Sequence, residues 1–376
     1  MGSATRPKNA EHPVALGSFR SWIRLLRQVE RVDRVFLPRA LFVTCTTLLT
    51  SPLRLAERLR YGRTLRRERI DPPPIFIVGH WRSGTTHLHN LLCQDEHHRS
   101  LTTFQALAPG FCLIGDGVIK RTIGRLAAAR YPTRLIDNIP LEMDAPQEDE
   151  FGLANLSEHS YIHVFSFPRQ ADAIFRRSVL FEGLSREERE RWMDLYLHLL
   201  RKVSLANGGR RQVIKNCAHS ARIPMLLEAF PQAKFIHIHR NPYKVFLSTL
   251  YMLNTVFLRS QLQKVDADRL KAFVLRSYVR LMERFLADRS QIPAGNYVEL
   301  RFDDLQAEPL GTLRRIYEAL ALPGFADAEP RVRTYLADVA GYRKNVYEFD
   351  DDVIETVNRH WSFAFDAFGY ERLSRG

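Results

Sequence analysis

The residues best placed to do chemistry lie in the stretch GHWRSGTTHLHNLL, residues 79–92. Gly79 and Gly84 have the G-x-x-x-x-G spacing of a phosphate-binding loop. In such a loop unhindered backbone N–H groups curl around an oxyanion, and the helix that follows points its positive end at the same place. A nucleotide triphosphatase would continue with lysine and a hydroxyl residue; here the continuation is Thr85-Thr86. The loop can therefore hold a phosphate, but it lacks the lysine that reaches the β- and γ-phosphates. Arg82, inside the loop, is the replacement cation.

A loop of this kind must hang between a strand and a helix. IFIVG (75–79) is a short apolar run rich in β-branched residues, and HLHNLLCQ (87–94) regains helical spacing. The stretch 210–253 repeats the alternation: a strand over Gln212 to Lys215, a helix over Ile223 to Phe230, a strand over Lys234 to His239, then a helix opened by Asn241-Pro242. YVELRF (297–302) reads as a further strand before another helical segment. Strands alternating with helices predict an α/β fold with a central parallel sheet covered on both faces. Asp71-Pro-Pro-Pro74 marks a boundary, so residues 1–70 are expected as a basic helical segment and 71–376 as the domain that carries the chemistry.

The chain has 376 residues and a formal net charge of +13, a balance that favours anionic partners. No RNP-like, zinc-finger or basic-zipper pattern is present, so nucleic acid is not expected as a partner. Cys45, Cys93, Cys112 and Cys217 are scattered in apolar contexts, as suits reduced thiols, and the start lacks a secretory layout. A cytoplasmic protein is expected, peripheral at the inner face of a membrane if the N-terminal segment binds lipid. VFLPRALFVTCTTLLTSPL (35–53) is strongly apolar but holds Pro38, Arg39 and Pro52, which argues against a clean span. Basic helices flank it, so residues 20–69 read either as an interfacial membrane anchor or as helices packed on the main domain.

The loop resembles the 5′-phosphosulfate loop of sulfotransferases that use 3′-phosphoadenosine 5′-phosphosulfate, in a bacterial-type form reading Arg-Ser-Gly-Thr-Thr. The resemblance implies a P-loop-like three-layer α/β/α fold, preceded here by the helical N-terminal segment. It also implies that Arg82, Ser83, Gly84, Thr85 and Thr86 bind the 5′-phosphate, with Arg82 near the bridging oxygen of the bond that breaks. In FIHIHRNPYKVFLS (235–248), Arg240 and Ser248 stand where the family binds the 3′-phosphate, a group that a triphosphatase has no need to recognise. In GYRKNVY (341–347), Arg343 and Lys344 match a basic pair that closes over that phosphate. Two departures stand out. The late motif reads Phe302-Asp303-Asp304-Leu305 where relatives have a tyrosine. In VIKNCAH (213–219), Lys215 fits the family's lysine, but Cys217 falls where a catalytic histidine would be.

Sulfuryl transfer to an alcohol is an in-line displacement that needs a base near the acceptor and cations near the sulfuryl oxygens; no metal is expected. Base candidates are Glu148 first, in the run APQEDEF (145–151), then Glu150, then His219, with His80 also in reach of the loop. Three adjacent acids also read as a solvated helix start. His237 and His239 alternate on one strand face and read as packing residues, and His97-His98 reads as a loop. The aromatic run SYIHVFSFP (160–168) and the N-terminal anchor favour a hydrophobic or lipid hydroxyl acceptor. The alternatives are a nucleotide kinase or triphosphatase, and a non-catalytic nucleotide-binding protein at a membrane surface.

Overall fold

The computed structural model describes residues 12–130, 142–340 and 347–374. The chain folds into two compact units, neither of them a continuous stretch. The first groups residues 1–69 with 101–206 and 251–270; the second groups 70–100, 207–250 and 271–376.

The first unit is helical. It opens with α1 (Phe19–Gln28), capped by the Ser18 side chain, then α2 (Leu37–Leu49) and α3 (Ser51–Arg67). Taken together, the successive helical elements over Arg34–Arg67 are long and apolar enough by length and composition alone to cross a membrane. Pro52 marks the turn at Thr50 where α2 gives way to α3, whereas Pro38 leaves α2 unbroken. Each sits in the first turn of its helix, where a missing N–H has no intrahelical partner to lose. Glu57 fastens α3 to this unit: its carboxylate accepts from Lys202 Nζ and from the backbone N–H groups of Leu113 (2.6 Å) and Ile114 (3.1 Å). Phe104, Ala108, Phe111 and Cys112 form a local core alongside.

The second unit carries the parallel α/β sheet expected from the sequence. Its strands are β1 (Ile75–Val78), β2 (His98–Arg99), β3 (Arg211–Lys215), β4 (Lys234–His239) and β5 (Tyr297–Arg301), in the order β2-β3-β1-β4-β5, all neighbours parallel. Strand β1 lies at the centre, pairing Ile75 with both Val213 and Lys234. All four of its residues are buried, which is why it reads as an unbroken apolar run instead of an alternating one. The helix α4 (Thr85–Leu92) follows β1 and lays Leu88, Leu91 and Leu92 on Ile75, Ile77, Val213 and Ile236.

Two readings change. His98 is not in a loop: it forms β2 beside Arg211, and its Nδ1 lies 3.1 Å from the Leu92 carbonyl. A two-residue strand is too short to show a period. The segment after β5 is two helices, Phe302–Ala307 and Pro309–Ala319, because Pro309 opens a new first turn. His237 and His239 do pack: His237 stacks on Phe285 at 3.9 Å and His239 on Phe368 at 4.8 Å.

Candidate active site

In a parallel sheet, ligands bind beyond the carboxyl ends of the strands, where the chain turns away on either side of a central strand. Four adjacent ends of this sheet carry the motif residues: Gly79 after β1, Lys215 closing β3, Arg240 after β4 and Phe302 after β5.

The loop is built by close approach. Gly79 has φ +139°, and a Cβ there would stand 2.3 Å from the Ile238 carbonyl oxygen of β4. Its N–H donates to Ser220 Oγ at 2.8 Å. Gly84, with φ +93°, caps α4, and a Cβ there would stand 2.0 Å from Cδ2 of Phe302. The phenylalanine in the tyrosine's place thus forms the floor of the loop. Arg82 has φ +71°, in the left-handed region that a branched-out side chain rarely occupies.

Arg82 joins the two phosphate motifs. Its Nε donates to Ser248 Oγ at 2.8 Å, and its carbonyl accepts from Arg240 Nη1 at 3.3 Å. The Arg240 guanidinium lies over the Phe302 ring, 4.8 Å from its centroid. Burial lowers the pKa of Arg240, and the neighbouring Arg82 charge lowers it further. Among the described residues neither guanidinium forms an ion pair with a carboxylate, and Arg240 Nε is buried with no hydrogen-bond partner. Asp303 acts on Arg240 from a distance but is spent on Lys244 at 3.9 Å, so two cations held together without a close carboxylate, over a glycine loop and at a helix N-terminus, suit a polyanion.

The β3 end lies beside this loop. Lys215 is buried, and the Asn216 N–H donates to the Ile77 carbonyl at 3.2 Å, tying β3 to β1. Cys217 Sγ lies 3.7 Å from Thr85 Oγ1, at the first residue of α4. Ser83 is buried as well, its N–H donating to the His80 carbonyl, while Thr86 is only partly covered. His219 is completely buried, edge-on to Phe76 at 5.7 Å, with Nδ1 3.2 Å from Arg222 Nη1. A guanidinium only donates, so that nitrogen is the acceptor. His80 is buried against Tyr278 at 4.8 Å; burial pushes its pKa down to about 4, and Nδ1 donates to the Trp81 carbonyl at 2.7 Å.

Glu148 and Glu150 belong to the other unit. Glu148 precedes the helix Asp149–Leu156 as its N-cap residue. The run is not a solvated helix start: Glu148, Asp149 and Glu150 are all buried, because Gln147 N–H donates to the Leu101 carbonyl and draws the segment inward. Glu150 Oε1 accepts from Ser160 Oγ at 2.9 Å and from the Tyr161 N–H at 2.7 Å, which holds the turn Tyr161–Phe165. Arg343 and Lys344 lie outside the described residues.

Sequence reading did not find Ser220 or the floor role of Phe302. Nothing in the spacing signals Ser220. Phe302 was visible as a departure from the family motif, but its contact with Gly84 depends on a fold that brings β5 to α4.

Comparison with known proteins agrees with this geometry. The family model described as "Sulfotransferase family" matches residues 73–327, a span that holds the loop, the β3 and β4 ends and Phe302. The chain is 34% identical over 356 residues to the omega-hydroxy-beta-dihydromenaquinone-9 sulfotransferase Stf3 of Mycobacterium bovis, covering 94% of this chain and 90% of that one. It matches the protein of the same name from Mycobacterium tuberculosis with the same figures. Among solved structures, sulfotransferase STF9 from Mycobacterium avium is similar in fold, with TM-score 0.71 and 20% identity over 96% of this chain and 98% of that one. A family match across two thirds of the chain, with a relative of this identity along nearly all of it, places the protein in the sulfotransferase family.

Proposed function

We propose that this sulfotransferase moves a sulfuryl group from 3′-phosphoadenosine 5′-phosphosulfate to the hydroxyl of a lipid acceptor of the hydroxylated menaquinone class. The observation that carries the donor is the Ser248–Arg82–Arg240 linkage with no carboxylate ion-paired to either guanidinium among the described residues. The close-fitting glycines and the unpartnered Arg240 Nε suit a ligand with phosphates at two separate points. Ser83, Gly84, Thr85 and Thr86 would hold the 5′-phosphate at the start of α4. Arg240 and Ser248 would hold the 3′-phosphate, with Arg343 and Lys344 closing over it. Ser248 Oγ accepts from Arg82 and keeps its own hydrogen to donate, so one hydroxyl can couple the two phosphate positions. When bound, the donor supplies the sulfuryl group and leaves as adenosine 3′,5′-bisphosphate. Arg82 and Lys215 are assigned to neutralise the charge that grows as the bond to sulfur breaks.

The proton of the acceptor hydroxyl is assigned to Glu148. Glu150 spends Oε1 on the 160–161 turn, and His219 has no exposed surface and already accepts from Arg222, which leaves them second and third. The acceptor class rests on the name of the curated relatives. An acceptor of that class resides in a membrane, so the enzyme is proposed to work at the cytoplasmic face of one, with residues 20–69 as the part that meets it. A nucleic-acid partner and a catalytic metal form no part of this reading.

Calorimetry tests the donor: adenosine 3′,5′-bisphosphate should bind tightly without magnesium and ATP weakly, and the reverse order would favour a kinase or triphosphatase. Labelled donor incubated with a lipid extract tests the acceptor. If label stays out of the lipid fraction and appears on a polar alcohol, the lipid assignment is wrong.

A further inference from the structure

We infer that the outer face of α2–α3 is a docking surface for an anionic lipid bilayer, with the helix lying along the membrane plane. This deepens the membrane reading above by naming the face and the lipid chemistry. The inner face of the run Arg34–Arg67 is committed to its own unit. Phe36, Val43, Thr47 and Leu65 are buried, Arg39 Nη1 donates to the Gln261 carbonyl at 2.7 Å, and Glu57 is held by Lys202. A helix threaded through a bilayer would have to give up these fastenings and expose Arg39 and Glu57 to hydrocarbon.

The opposite face is apolar and open. Leu37, Leu41, Leu48, Leu55 and Leu59 are all more than half exposed, with Leu59 reaching 76%. Their spacing keeps them on one stripe, and the exposed Cys45 and Pro52 fill its gaps. From Leu37 to Leu59 the stripe is about 33 Å long at 1.5 Å per residue. Every exposed residue from Val35 to Ala56 is uncharged. Beyond it the exposed positions turn basic, with Arg58, Arg60, Arg63, Arg66 and Arg67, while Glu57, the one acid of α3, faces inward. An uncharged apolar partner would meet the leucines and leave these arginines without counter-charge. An anionic bilayer matches both parts, offering acyl chains to the stripe and phosphates to the arginines.

Flotation of the full-length protein tests this, using phosphatidylcholine vesicles and equimolar phosphatidylcholine–phosphatidylglycerol vesicles. Partitioning should favour the anionic vesicles by at least about tenfold. Leu41→Gln/Leu48→Gln/Leu55→Gln should abolish it, and Arg60→Glu/Arg63→Glu should remove the preference for anionic lipid. Both variants should keep the wild-type circular dichroism and affinity for adenosine 3′,5′-bisphosphate. No flotation of the wild type with anionic vesicles, or undiminished flotation of the leucine variant, overturns the proposal. A dimer in sedimentation velocity that the leucine substitutions dissociate, with no vesicle binding, assigns the face to a second copy and overturns it too. Turnover of lipid acceptor in detergent is read separately: turnover without flotation removes the docking surface alone, and flotation without turnover supports docking and removes the acceptor assignment alone.

Discussion

Arg240 is held by a backbone carbonyl and an aromatic ring, neither of which cancels its charge, and Asp303 acts on it without pairing with it. Its fork is therefore kept for a ligand. Arg240→Ala should weaken binding of adenosine 3′,5′-bisphosphate by about a hundredfold, and Arg240→Lys should recover only part of it, since an ammonium cannot make the bidentate contact. Calorimetry on the two variants would show this; equal affinities for lysine and arginine would remove the fork from the account. The two glutamates should separate by the kind of damage they cause. Glu148→Gln should lower turnover with donor affinity intact. Glu150→Ala should lower stability by about 1–3 kcal/mol, because the Tyr161 N–H loses its buried acceptor while the Ser160 hydroxyl keeps only the Glu150 carbonyl. Turnover of both variants close to wild type would dismiss a carboxylate base.

Loop and sheet meet where no side chain fits. Gly84→Ala pushes a methyl into Phe302 and adds a Cβ at φ +93°, so a loss of about 1–3 kcal/mol is expected, with weaker donor binding. Because the neighbour is a ring and not backbone, adding Phe302→Leu should return part of that stability in a thermal melt. Gly79→Ala meets the Ile238 carbonyl, and no side-chain change can relieve it. On the helical side, Glu57→Ala strands the buried Lys202 and frees two backbone donors, at an expected cost of about 3–5 kcal/mol measured by denaturant midpoint. Much of this level was readable beforehand. Strand β4 has the predicted bounds, and β1, β3 and β5 differ from theirs by a residue, because short β-branched runs between turn signals leave little choice. Strand β2 and the burial of Glu148 were not readable. Both depend on partners distant in sequence, and an acidic run looks the same on paper whether it meets water or a protein interior.

Among the described residues several histidines are buried or half-buried as neutral rings. Burial pushes His80, His163 and His198 down to about 4, and His12 and His239 to about 3. An unfolded histidine takes up its proton near 6.5, so as pH falls from 6.5 towards 4 the unfolded chain binds more protons than the folded one. Stability should be full above about pH 6.5 and decline by several kcal/mol through that window. Thermal melts at pH 7 and pH 5 should differ by several degrees, and a flat profile would contradict neutral burial. The phosphate motifs were legible as separate stretches, but their joining through Arg82 was not, since spacing along a chain says nothing about which strand ends become neighbours.

That joining has a consequence for the nascent chain. Arg82 meets Ser248 and Arg240 across 166 and 158 residues of sequence, and the floor beneath its loop comes from Phe302. During synthesis from the N-terminus, the loop emerges long before anything that shapes it, and closing such distances is slow. Ribosome-bound fragments that end before β5 should not retain a bisphosphate resin, so donor recognition is among the last properties the chain acquires.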